Sequence, residues 1–147
     1  MIKRWRLHHR PDDGAAAVEL VILAPVLIAM IAFAVMAMRI EVANESIDSA
    51  AHDAARAASI SRNATDAQNA ATTAANTTLA DDGLSCMTLT VTVTTDGFSV
   101  PVGQLGLVTA NVTCIVDLSD LAIPGLPGST TLSSTFTSDI DRYGGRS

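Results

Sequence analysis

One unbroken apolar run governs what this chain can become. From Ala15 to Met38 it reads AAAVELVILAPVLIAMIAFAVMAM, 24 residues with one charge, Glu19, and one helix breaker, Pro25. Coiled as an α-helix the block is about 36 Å long, against roughly 30 Å of bilayer hydrocarbon. A helix buried in a globular core keeps a polar stripe, and here Glu19 is the sole candidate for one. The block is therefore expected to be a membrane-spanning helix. The competing reading, a cleaved secretory signal, needs a shorter apolar region followed by a small-x-small site. Ala37-Met38-Arg39 matches that pattern poorly.

The flanks orient the span. Lys3, Arg4, Arg6 and Arg10 precede it, whereas Arg39 on the other side is soon followed by Glu41, Glu45 and Asp48. The positive-inside bias puts the N-terminus in the cytoplasm and residues after Arg39 outside. Composition narrows the function classes. Aromatics make up only 3% of the 147 residues, and the net charge is −6. So few aromatics argue against a sizeable soluble enzyme core, and the acidic balance argues against a nucleic-acid partner.

Glu19 lies about one turn inside the apolar block, where a carboxylate costs up to about 2.5–3.5 kcal/mol at the helix centre and less near an end. Snorkelling to the interface or protonation would relieve that cost. A second solution uses the preceding residues, Gly14-Ala15-Ala16-Ala17-Val18. Cleavage after Gly14 would create an α-amine at Ala15 and make Glu19 the fifth residue. An amine and a carboxylate on neighbouring parallel helices could then neutralise each other in low dielectric and fix the axial register.

The stretch GAAAVELVILAPVL resembles the N-terminal signature of TadE-like proteins, minor pilins or pseudopilins of the Tad (tight adherence, Flp-type) pilus system. In that family a basic leader ends in Gly, a prepilin peptidase cuts after it, and Glu occupies the fifth mature position. Gly14, Ala15 and Glu19 match those roles. Pro25 matches a proline often found inside the pilin helix, where it would kink the helix. Leu20 stands where an aromatic is common. The segment VTCIVDL…AIPGLPGSTTLSSTFTSDIDRY also resembles the end of such proteins. The resemblance implies other pilin subunits, the pilus assembly machinery, the peptidase and membrane lipid as partners.

Beyond the membrane, residues 41–80 contain 14 alanines and neither Pro nor Gly, a composition of high helix propensity. Small residues recur at Ala43, Ala50, Ala54, Ala57, Ala58, Ala64, Ala71 and Ala75, in line with Ile40 and Ile47. This stripe suits either a solvated spacer or an extension of the membrane helix that packs against a sheet or other subunits. Asp48, His52 and Arg56 are spaced for i,i+4 contacts. The helix is expected to break near Asn76–Asp82, with Asp81-Asp82-Gly83 as a turn.

From there the period changes to two. Met87-Thr-Leu-Thr-Val-Thr-Val-Thr94 alternates, with Met87, Leu89, Val91 and Val93 on one face. Asp96-Gly97 reads as a turn, Phe98–Val102 as a short strand and Leu107–Leu118 as a long one. Residues 123–128 read as a Pro/Gly loop. Ser129–Ile140 reads as a last strand with Leu132, Phe136 and Ile140 as apolar anchors.

Cys86 and Cys114, the only cysteines, fall in the segment assigned outside the cytoplasm, where disulfides persist. Pairing them directly opposite each other in a regular hairpin would put the threonines of the first strand beside Val108, Ala110 and Val112. The expectation is therefore a bulge, a cysteine outside the regular strand, or strands that are not neighbours.

No nucleophile–base pair, phosphate loop or zinc spacing is present in the sequence. His8 and His9 near Asp12 and Asp13 belong to the basic leader, and His52 is expected to be solvated. Sequons at Asn44, Asn63, Asn76 and Asn111 arise easily in so Asn- and Thr-rich a chain. The expected fold class is α+β, with an antiparallel sheet of three or four strands. A leader (1–14), a transmembrane helix (15–38), an Ala-rich helical segment (39–80) and a β domain (81–147) follow in order. Catalysis, cofactor and metal are not expected. The expected role is a pilus or secretion-system component, in which a priming role fits better than filament body. The alternative is an anchored extracytoplasmic binding module unrelated to pili.

Overall fold

The computed structural model describes residues 13–101, 103–121 and 127–140. The leader through residue 12, with His8 and His9, lies outside the described residues. So do Val102, positions 122–126 of the Pro/Gly loop, and everything after Ile140. The fold is α+β: helices α1 (Asp13–Ser59) and α2 (Ala64–Asp81), then strands β1 (Thr88–Thr94), β2 (Leu107–Asp117) and β3 (Ser129–Asp139). A 3-10 turn occupies Asp96–Ser99, and a single-turn helix α3, Leu118–Leu121, follows β2. The chain divides into two compact units, one ending at Val35 and one beginning at Met36.

The first unit is helical from Asp13 onward, and its large side chains from Val18 to Phe33 are exposed. The helix is long and apolar enough to cross a membrane. Pro25 stands inside it, leaving the carbonyl of Val21 without its amide partner.

In the second unit the alanine stripe is buried, not solvated. Ala50, Ala51, Ala54, Ala55 and Ala58 of α1 and Ala67, Ala71 and Ala75 of α2 are fully inaccessible. They join Ile47, Leu79 and the inward face of the sheet in one core. Methyl groups bury little area each, but they let backbones approach closely, so a core with few aromatics can still close without voids. Ala57 is only half-buried and Ala64 is exposed, so those two lie off the stripe.

The helical region ends at Asp81, as expected, but it also breaks once before that, at residues 60–63. Asn63 is the cause. Its side chain accepts from the Asp66 amide (2.9 Å) and donates to the Asp66 carboxylate (2.8 Å), a reciprocal N-cap. Ser59 and Ser61 hydroxyls donate to the carbonyls of Arg56 and Ala57 and help terminate α1. The break lets α2 present a second buried face, and Thr78 Oγ1 donates to Asp53 Oδ2 at 2.8 Å to tie α2 to α1. At its far end α2 stops in a Schellman motif. The Gly83 amide (φ 72°) donates to Ala80 O and the Leu84 amide to Leu79 O, with Leu79 and Leu84 meeting in the core.

The sheet is antiparallel with order β1-β2-β3. Leu89 pairs with Cys114, Val91 with Val112 and Val93 with Ala110, so the apolar faces coincide. Val108, Ala110, Val112, Cys114 and Val116 are buried, while Thr109, Asn111 and Thr113 face outward with the threonines of β1. Cross-strand hydrogen bonds join that outer face, Thr109 to Thr137 (2.9 Å) and Asn111 to Thr135 (2.6 Å). Met87 does not extend the apolar face: it precedes β1 and is 65% exposed. Phe98 is not in a strand either. Gly97 is pressed against the backbone of Leu107, and the Phe98 amide turns back to Thr95 O (3.0 Å), closing the 3-10 turn. After β2, the Ser119 amide donates to Asp117 Oδ1 (2.8 Å), which holds the Asp117 carboxyl below the usual carboxylate range.

The two sheet edges differ. Gln68 of α2 lies along β1, donating to Val91 O (2.8 Å) and accepting from the Val93 amide (3.1 Å). One side-chain amide thus satisfies two outward-facing groups of that edge.

Candidate functional site

The residues singled out from sequence fall into two groups. Gly14 and Ala15 lie in the first turn of α1, with Glu19 and Pro25 farther along the same helix. Glu19 is exposed, so no group within the described chain shields its charge. A carboxylate in lipid without an internal partner must reach water, take up a proton or meet a partner outside its own chain.

The second group is the disulfide. Cys86 Sγ and Cys114 Sγ are bonded, with Cα atoms 5.4 Å apart. Cys114 is fully buried in β2 opposite Leu89, and Cys86 lies outside the regular strand. The register conflict is resolved just before β1. Continuing the ladder would set Met87 opposite Val116, yet the Met87 amide donates to Ile115 O (2.7 Å). The chain slips by one residue there, so the cysteines meet while the apolar faces stay matched.

The Asp48–His52–Arg56 series forms no ion pair among the described residues. His52 Nδ1 lies 3.4 Å from Asp53 Oδ1 instead, and its ring packs edge-on against Phe136 of β3 with centroids 4.6 Å apart. His52 is exposed, as expected, and its ring also forms a contact between α1 and the sheet. Among the described residues no His, Cys, Asp and Glu group has the makings of a metal site. A groove beside the 3-10 turn is lined by Arg62, Asn63, Thr95, Asp96, Phe98 and Ser99. Sequence reasoning missed the Gln68 edge contact, because a lone glutamine on a helix carries no signal of the strand it will meet.

These features define a class: an apolar helix able to span a membrane, joined to a small disulfide-linked α+β unit with an alanine-lined core. The family model of TadE-like proteins matches residues 14–56. The matched segment begins at Gly14, contains Glu19 and Pro25, and ends at Arg56 within the buried part of α1. It is less than a third of the chain, and it points to a protein associated with Tad pili. Comparison with curated proteins and with solved structures gives no match.

Proposed function

We propose that this protein is a non-catalytic, single-span minor pilin or pseudopilin of a Tad-type pilus or related secretion system. The observation that carries the reading is Glu19, an acidic side chain inside an apolar helix, five residues after Gly14 in a TadE-like segment. A prepilin peptidase would cut between Gly14 and Ala15 on the cytoplasmic side. The new amine of Ala15 on one subunit would then pair with Glu19 of its neighbour, and Pro25 would bend the helix in between. The residues after Arg39 would stand outside the membrane, and the sheet would present the contact or adhesion surface.

Two outcomes are expected. Mass spectrometry of protein extracted from membranes of a host with the peptidase should find Ala15 as the first residue. A terminus still at Met1, or loss of the whole block through Met38, would count against the reading. Glu19→Ala should insert normally, because it removes a cost of up to about 3 kcal/mol, yet it should abolish or strongly reduce pilus assembly. Unchanged piliation in that variant would end the docking role assigned to Glu19.

A further inference from the structure

We infer that the free edge of β3 is a pairing surface for β3 of a second copy of this chain, antiparallel and centred on Ser134. In the β2–β3 ladder Ile140 pairs with Gly106 through its amide, 2.9 Å from the Gly106 carbonyl. By alternation, the backbone groups of Thr130, Leu132, Ser134, Phe136 and Ser138 point toward β2, and those of Thr131, Ser133, Thr135 and Thr137 point away. The outward set has no backbone partner among the described residues, and all four residues are exposed. The contrast with β1 is informative, because that edge is occupied by Gln68. Strand β3 has 11 residues and carries none of the usual protections: no Pro, Lys or Arg, and a single charge at its end, Asp139.

The side chains favour a second copy as the occupant, because β3 is close to palindromic about Ser134. Antiparallel self-pairing there sets Thr131 opposite Thr137 and Ser133 opposite Thr135, and these outward-facing pairs would exchange N–H···O bonds. Threonines already meet this way across β2 and β3, where Thr109 and Thr137 lie 2.9 Å apart. On the inward face Leu132 of each copy would stand opposite Phe136 of the other. Phe136 is 41% exposed in the single chain despite its contact with His52, and a cross-strand leucine would cover it. Centring on Ser133 or Thr135 instead sets Leu132 or Phe136 against serine. Centring on Ser134 uses the whole strand and joins two three-stranded sheets into one of six.

The test uses the full chain in native membranes, oxidised and run on non-reducing gels. Ser134→Cys places each cysteine opposite its own copy in a non-hydrogen-bonded pair, within disulfide reach. It should give about tenfold more cross-linked homodimer than Thr73→Cys on the exposed face of α2. Thr130→Cys and Ser138→Cys should cross-link when co-expressed on separate chains, and neither should do so alone. Adding Ser133→Pro to Ser134→Cys removes an outward amide while sparing the β2 ladder, and should abolish the product. If the proline variant fails to fold, the Thr130/Ser138 pair decides by itself. Ser134→Cys cross-linking no better than Thr73→Cys, joining a different protein instead, or cross-linking without the Thr130/Ser138 product would each overturn the inference.

Discussion

Replacing Gly97 by alanine is expected to destabilise the second unit by about 3 kcal/mol or more, near the upper end for overpacking. A Cβ at that position would collide with the carbonyl oxygen of Leu107. It would also lie 2.8 Å from the Leu107 amide and 2.9 Å from Ile140 Cδ1. The first two obstacles are main-chain atoms at the start of β2, so relief requires moving the strand itself. Chemical unfolding of the full chain in detergent, followed by circular dichroism, should show the loss as a lowered midpoint with an unchanged slope. Gly103→Ala is the matched comparison. Its φ of 92° makes alanine unfavourable by roughly 1–2 kcal/mol, but nothing stands within 4 Å of the added methyl. If the Gly97 variant were no worse than the Gly103 variant, the close approach of the 3-10 turn to β2 would not be a stabilising constraint.

The second large effect concerns the disulfide. Cys86→Ala with Cys114→Ala should cost about 3.5 kcal/mol, since the bond closes a loop of 28 residues and restricts the unfolded chain accordingly. Domains of this size are stable by only about 5–15 kcal/mol, so the loss would be a large fraction of the total. The core here is built largely of alanine and valine, with no large aromatic to compensate. Reduction of the wild-type protein with dithiothreitol should reproduce the shift seen in the double variant. A difference below about 1 kcal/mol would mean that the slip before β1, and not the covalent link, holds the cysteines together.

Much of the architecture was legible in the residues themselves because the relevant signals are local. A run of apolar side chains without a polar stripe specifies a membrane-length helix whatever follows it, and strict Thr/Val alternation specifies a half-buried strand. Asp81-Asp82-Gly83 ends a helix because glycine adopts the left-handed conformation without strain. Gly14, Glu19 and Pro25 could be singled out for the same reason, since each is anomalous against its immediate neighbours. The helix break at residues 60–63 was also local, carried by Asn63 and Asp66, but the surrounding alanines masked it.

What the sequence left open depended on contacts between distant segments. Whether the alanine stripe faced water or a sheet was decided only when β2 supplied a valine-lined surface for it to cover. Phe98 was drawn out of a strand by the approach of Gly97 to Leu107, and the exposed His52 ring gained an edge contact because Phe136 lay across from it. Both cysteines could be named from composition, but the one-residue slip at Met87 required the β1–β2 register. Likewise the difference among the described residues between a guarded edge at β1 and an open one at β3 rests on where a single glutamine side chain ends. Local periodicity sets which elements form; side-chain reach across the assembled unit sets which of their faces and edges remain available.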